Sequence, residues 1–162
     1  MLIPLNDKTY KNILEWRNAP EVRFNSMTDH IISEQEHHQW WNKVRQDKSQ
    51  QWMLFKYKNL PCGVAHYIDI TPEKLAYWGF YLSNNLESYQ ILGAWFALEK
   101  EALDYAFQTL KLEQLNCKVF RFNRAALQMH KRFNYQEISI EEHSKGELIT
   151  LQLNKNDWKN NG

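Results

Sequence analysis

An excess of charge of either sign is missing from this 162-residue chain: 20 Lys and Arg against 19 Asp and Glu leave a formal net charge of +1. Such a balance carries no electrostatic footprint for non-specific nucleic-acid binding. Cysteine is nearly absent too. Cys62 and Cys117 each lie in a strand-like run without a CxxC partner, which argues against a structural disulfide or a zinc site. No apolar run approaches the length of a membrane span, and the N-terminus lacks a basic-then-apolar leader. A cytoplasmic protein with no membrane partner is therefore expected. Internal repeats, low-complexity tracts and linkers are lacking as well. What is present is ordinary in amount, 43% hydrophobic and 24% charged, but aromatics reach 14% and include 7 Trp. The length suits one domain with a full core.

Taken in order, Leu2 to Leu5 reads as a short strand and Lys8 to Arg17 as a helix capped by Asp7. Asn18-Ala19-Pro20 breaks it, and an irregular segment follows to Ile32. Ser33-Glu34-Gln35-Glu36 fits a capping box. Behind it, His37, Trp40, Trp41 and Val44 form an i, i+3, i+4, i+7 stripe. Strand-like runs at Gln51 to Tyr57, Gly63 to Ile70 and Ala76 to Leu82 are separated by the turns Asn59-Leu60-Pro61 and Thr71-Pro72-Glu73, predicting an antiparallel meander. A long helix ends near Leu110, with Leu92, Phe96, Leu103, Phe107 and Leu110 on its expected buried face. A strand at 115–122, a helix at 123–133 and a hairpin around Ser144-Lys145-Gly146 complete the pattern. The expectation is one α+β domain over residues 1–154 around a mixed, mostly antiparallel sheet, with a frayed polar tail at 155–162.

The stretch between Leu82 and Leu110 organises the rest. Strand Ala76–Leu82, the polar Ser83-Asn84-Asn85, the turn Ser88 to Ala94 and a helix N-terminus make an anion site, because N–H groups are unpaired there and the helix dipole is positive. This predicts a pyrophosphate-bearing cofactor on Tyr89, Gln90, Ile91, Leu92, Gly93, Ala94 and Trp95. A helix N-terminus capped by water accounts for the same residues, and one Gly in a βα turn does not separate the two. His37 and His38 are adjacent on a helix and diverge by about 100°, so they form no metal pair, and no metal is expected.

Two further segments carry a resemblance. The first is Ile13-Leu14-Glu15-Trp16-Arg17-Asn18-Ala19-Pro20-Glu21-Val22-Arg23 with Met27, followed by Ile32-Ser33-Glu34-Gln35-Glu36-His37-His38-Gln39-Trp40-Trp41. The second is Asn123-Arg124-Ala125-Ala126-Leu127-Gln128-Met129-His130-Lys131-Arg132-Phe133-Asn134-Tyr135. With the element order, they make the chain similar to the GCN5-related N-acetyltransferases over nearly its whole length, and to their PseH-type branch. The resemblance implies a three-layer α/β/α fold and acetyl-CoA as acyl donor. It implies N-acetylation of a nucleotide-linked 4-amino-4,6-dideoxy sugar by direct attack of the amine. Two departures stand out: Trp95 occupies the second small position of the phosphate loop, and Asn134-Tyr135 stands for the closing Gly-Phe.

By resemblance, the strand through Phe80, Tyr81 and Leu82 presents backbone groups to the pantetheine and the thioester, and Asn123 contacts the cofactor besides capping its helix. His130, at the family's Tyr or His position, is the expected general acid toward the leaving thiolate, best tuned between neutrality and the ordinary thiol value of about 8.5. His66 alternates with Val64 and Ile68 on a strand face and is the candidate base; a hydrogen-bonded strand histidine explains it as well. Arg17 and His37 would contact the diphosphate, and Met27, Trp40 and Trp78 would wall the uracil and the sugar methyl. The reading admits a homodimer. Two other functions fit the same sequence: N-terminal acetylation of a ribosomal protein, and a non-catalytic acyl-CoA-binding domain.

Overall fold

Strand alternation decides the layers. In the computed structural model, which describes residues 1–159, Gln51–Tyr57 (β2) turns Trp52 and Leu54 to one face and Met53 and Phe55 to the other, and both faces are covered. Leu2–Pro4 (β1) flanks it on one side, and Leu60–Thr71 (β3) and Leu75–Leu82 (β4) follow antiparallel on the other. Gln114–Phe120 (β5) is parallel to β4, while Gln136–His143 (β6) and Gly146–Asn154 (β7) add an antiparallel hairpin. The sheet order is β1-β2-β3-β4-β5-β7-β6.

One face packs on a 3-10 turn at Tyr10–Ile13, the helix Leu14–Arg17 (α1) that continues it, and Glu34–Val44 (α3). Between them stands Pro20–Phe24 (α2). Against the other face lie Ser88–Asp104 (α4), extended by a π turn at Tyr105–Thr109, and Arg124–Arg132 (α5). Tyr67 ties β3 to α4 by donating its hydroxyl to the Ala102 carbonyl at 2.6 Å. Three layers result, as the sequence predicts.

Local chemistry explains where the elements start. Ser33 Oγ accepts from the Glu36 N–H at 3.1 Å, and Asn123 Oδ1 accepts from the Ala126 N–H at 3.3 Å, so these two caps form, though the Glu36 carboxylate bonds His30 at 2.7 Å and does not complete the capping box. Asn134 takes a left-handed backbone, φ 71°, a conformation Gly adopts most readily and Asn tolerates. The first hairpin turns at Lys58 and Asn59, φ 50° and 66°, one residue earlier than read from sequence. Two positive φ values fit a two-residue primed turn, which leaves Leu60 and Pro61 in β3 beside a bulge.

Four other expectations are corrected. Asp7 caps nothing: its carboxylate accepts from Trp41 Nε1 at 2.8 Å and pairs with Arg45, while Asn6 Oδ1 takes the Lys8 and Thr9 N–H groups. Pro20–Phe24 is helical rather than irregular, because Pro stands at its first position where its missing N–H costs nothing. On α4 the buried face is Ala94, Leu98, Glu99, Ala102 and Leu103. Leu103 and Phe107 are buried as expected, but Leu92 is 62% exposed and Phe96 49%, since Ala94, Leu98 and Ala102 take the sheet-facing positions in that part of the helix. Finally, Lys155–Lys159 is a short helix (α6) where a frayed tail is expected, with Trp158 stacked on Phe107 at 5.1 Å, and the rest of that tail, 160–162, lies outside the described residues.

Candidate active site

β4 and β5 pair only over Leu75–Tyr77 against Gln114–Asn116, then run on to Leu82 and Phe120 without pairing again. The strands therefore splay, leaving the β5-facing edge of Trp78–Leu82 open to another backbone-like partner. His130 enters the base of this opening from α5. It meets Trp78 and Phe80 edge-on, with centroids 5.8 and 6.2 Å away, and is only 2% exposed. Its Nδ1 lies 2.5 Å from Oε1 of Glu99, which is fully buried on α4. Cys117, the first β5 residue past the paired segment, is buried close enough to the same imidazole to influence its charge. Burial by itself would push the imidazole toward the neutral form. Cys117 and the Glu99 carboxylate override that and raise it to about 10, so the ring is charged at neutral pH. Trp78 Nε1 donates to Tyr135 Oη at 2.8 Å, and burial holds the Tyr135 hydroxyl well above its ordinary value.

On the opposite face, His66 of β3 stands across from Gly79 of β4. Its ring stacks on Trp52 at 4.2 Å and lies over Gly79 so closely that a Cβ there would come within 2.7 Å of Cε1 and Nε2. Arg17, at the end of α1, donates from Nη2 to the Thr28 carbonyl and hydroxyl at 2.9 and 3.1 Å. Arg17 Nη1 and His66 Nδ1 are both buried without a partner. Burial, and then the Arg17 charge, lower His66 to about 4, so it is uncharged at neutral pH. Burial also lowers Arg17 and raises Tyr81, which lies on this face two residues beyond Gly79. The segment between α2 and α3 that carries Thr28 is fastened from the far end of the sheet: Lys145 Nζ donates to the carbonyls of Arg23, Phe24 and Ser26 at 3.1, 2.8 and 2.7 Å.

The two clusters thus meet the same few residues of β4 from opposite sides, one presenting an imidazolium and the other a neutral imidazole beside a buried guanidinium. No family model matches the sequence. Acetyltransferase PseH of Campylobacter jejuni strain 81-176 is 30% identical over 131 residues, covering 81% of this chain and 79% of that protein. The chain belongs to the PseH acetyltransferase family. Acetyltransferase PseH of strain NCTC 11168 is 29% identical over the same length. Among solved structures, Campylobacter jejuni N-acetyltransferase PseH in complex with acetyl coenzyme A superposes with a TM-score of 0.71 at 22% identity, covering 96% of this chain and 99% of that one. Spermidine N-acetyltransferase from Vibrio cholerae, in complex with CoA and spermine, gives 0.87 at 17% identity, covering 98% and 97%. At these identities the superpositions show the shared fold, that of the GCN5-related N-acetyltransferases.

Within a PseH-family enzyme the residues singled out from sequence sort into those that line the splay and those that do not. His130, His66, Arg17, Phe80 and Tyr81 gather around it. His37 does not: its Nε2 bonds the Tyr10 carbonyl at 2.6 Å and its ring is sandwiched by Tyr10 and Trp40, so it is a satisfied core histidine and no diphosphate ligand. Trp78 faces α4 and α5 rather than α1 and α3, because it is one residue out of phase with Gly79 and Tyr81, so it walls no acceptor pocket. Trp40 stays on the acceptor side, edge-on to Trp52 at 4.7 Å. Met27 is exposed on the segment after α2.

The phosphate turn is also displaced. α4 starts at Ser88, so the N–H groups of Gly93, Ala94 and Trp95 belong to its second turn and are used in the helix ladder. The N–H groups that a helix starting there leaves over are those of Ser88 and Tyr89, with Gln90 Oε1 bonded back to the Glu87 N–H at 3.2 Å. Glu99, Cys117, Trp52 and Gly79 are not among the site residues expected from sequence. Glu99 had a usable signal: it is the one charged residue on the buried face of α4. A depression of about 390 Å³ beside Arg121, Arg124 and Glu147 lies past the end of β5, and neither His66 nor His130 lines it. Its Arg121 already pairs with Glu137 and Glu147.

Proposed function

We propose that this enzyme transfers an acetyl group from acetyl-CoA to the amine of a nucleotide-linked 4-amino-4,6-dideoxy sugar by direct attack. The observation that carries the reading is the splay of β4 from β5 with a charged imidazole on one side and a neutral one, beside Arg17, on the other. The unpaired edge from Trp78 to Leu82 fits a pantetheine running strand-like between β4 and β5, and the start of α4 fits its pyrophosphate.

In the reaction the carbon–nitrogen bond forms as the carbon–sulfur bond breaks; nitrogen gives up one proton and sulfur gains one. His66, uncharged, accepts a hydrogen bond from the incoming amine. The nearby Arg17 charge disfavours an ammonium there and so favours the nucleophilic form. Once the carbon–nitrogen bond forms, the nitrogen is strongly acidic, so even a weakly basic imidazole suffices to take its proton. On the other face, His130 presents a positive N–H where negative charge develops on the departing sulfur. Held above the thiol range, it acts chiefly as an electrostatic partner. Arg17 Nη1 is the donor for a phosphate oxygen, with Trp40, Trp52 and Met27 as the apolar surround.

A polyamine acceptor is the second reading, favoured by the higher TM-score to the Vibrio cholerae enzyme. It fits poorly with a buried guanidinium on the acceptor face, which repels a polycation and attracts a diphosphate. Free thiol release from acetyl-CoA separates the readings when UDP-linked 4-amino-4,6-dideoxy sugar and spermidine are offered in turn. Turnover is expected with the sugar nucleotide, and His130→Ala should lower kcat about 100-fold with little change in the acetyl-CoA KM. Faster turnover of spermidine overturns the sugar assignment, and CoA binding without thiol release for any amine makes the chain non-catalytic.

A further inference from the structure

Glu99 is the feature that neither the fold nor the proposed chemistry accounts for. It is an acid in the middle of a helix face otherwise made of Ala94, Leu98, Ala102 and Leu103, and it is 0% exposed. Burying a carboxylate in such surroundings is costly unless it is paired and fully hydrogen-bonded. It is paired, through Oε1 to His130 Nδ1, but Oε2 is buried with no partner. A residue retained only for stability would be expected to have both oxygens satisfied. One turn earlier on the same helix, Trp95 shows the complementary defect: its Nε1 donor is buried without an acceptor, and its ring packs on Phe80 at 5.5 Å. An unused acceptor and an unused donor therefore occupy successive turns of α4, both beside the splay and the imidazole at its base.

We infer that Glu99 is a positioning residue for acetyl transfer, gripping the His130 ring by Nδ1 and supplying the negative charge that keeps the ring a cation facing the splay. The inference rests on His130 acting toward the leaving sulfur. Glu99 touches no reacting atom; it acts through the imidazole. Without the carboxylate, the ring would be a buried base that prefers to be neutral, free to turn about its χ2 and with one fewer anchor.

The groups that face this imidazole are few: Glu99 from α4, Cys117 from β5, and Tyr135 just after α5, with Tyr67 of β3 close enough to Glu99 to be affected by it. Both tyrosines are held neutral far above neutral pH by burial. Of the near neighbours only Cys117 competes with Glu99 for control of the ring.

The test reads the charge of the ring directly. In the full-length enzyme labelled with 15N-histidine, the His130 ring nitrogens are followed by NMR from pH 5 to 10 alongside the pH dependence of kcat/KM for thiol release. In the unmodified protein His130 should remain protonated through about pH 9. Titration near the ordinary histidine value of about 6.5 would overturn the inference without any variant being made. In Glu99→Gln, the titration and the alkaline limb of kcat/KM should move down together by at least about two pH units, with kcat at pH 7.5 falling about tenfold or more. Unmoved titration and profile in Glu99→Gln would sink the positioning role while leaving His130 in place. A His130→Asn variant with full turnover would instead remove His130, and the proposed chemistry with it. An acetyl group found on Cys117 by mass spectrometry after single turnover would replace the positioning role with a covalent relay.

Discussion

Gly79 shows how much a single position can decide at this site. A Cβ added there would stand 2.7 Å from two atoms of the His66 ring, which is itself held from behind by Trp52. The ring has no easy retreat, so Gly79→Ala should shift the imidazole or part β3 from β4. Misplacement by about 1 Å commonly costs about 100-fold in rate. The expected result is a kcat lowered 10-fold to 100-fold with acetyl-CoA affinity by calorimetry unchanged, because His130 and the donor side lie on the opposite face. Unchanged kcat would mean that the position of His66 is irrelevant to the reaction. The three histidines His37, His66 and His130 carry one sequence signal, a polar residue interrupting an apolar face. Only the structure tells them apart: His37 finds the Tyr10 carbonyl, His130 finds Glu99, and His66 Nδ1 finds nothing. Each of these partners, or its absence, is a contact across more than 25 residues or across the sheet, which local periodicity does not encode.

Among the elements, α4 carries most of the donor-side argument and was the hardest to place from sequence. Its existence was plain, but its buried face and its starting residue were not. The large side chains Leu92 and Phe96 suggested one face, whereas the close approach of helix to sheet selects Ala94, Leu98 and Ala102. Likewise the paired and splayed parts of β4 read identically as apolar alternation, since the splay is a property of two strands whose paired residues lie 39 positions apart. Strand identities, both side-chain caps and the left-handed Asn134 were legible because they are set within a few residues. Gly93 tests what α4 does at its start. It sits in the second turn on the same side as Tyr89, and a Cβ there would meet only the Tyr57 hydroxyl, at 2.8 Å, the free end of a side chain that can swing away. Replacing a helix-interior Gly by Ala commonly stabilises by about 0.5–1 kcal/mol. Gly93→Ala should therefore raise the thermal midpoint slightly. If the pyrophosphate leans over this bare turn from the N–H groups of Ser88 and Tyr89, the same change weakens acetyl-CoA binding about tenfold, or about 1.4 kcal/mol. A gain in stability with no loss in affinity would move the pyrophosphate off this turn.

Across the whole molecule, the two sides of the sheet respond to pH in opposite senses. His66 in the folded state titrates at about 4 and His130 at about 10, against about 6.5 for an unfolded histidine. Below pH 6.5 the unfolded chain gains a proton at position 66 that the folded protein refuses until about pH 4, so acid favours unfolding across that window. His37, also lowered by burial, adds to the same limb. Above pH 6.5 the folded protein keeps a proton on His130 that the unfolded chain has lost, so stability falls steadily until about pH 10. The lowered carboxyls of Asp7 and Asp47 lose their stabilising effect only below their ordinary value of 3.8, outside both windows. A stability maximum near pH 6.5 follows, with the buried imidazoles acting on both flanks and the raised Cys62 thiol and buried tyrosines adding to the alkaline one at its upper end. Urea midpoints measured from pH 4 to 10 should trace this dome. His66→Gln should make the acid flank shallower, leaving the share of His37, and the paired change His130→Gln with Glu99→Gln should make the alkaline one shallower, each leaving the other flank intact. A flank whose slope is unchanged by the loss of its histidine would break the link between that imidazole and the fold.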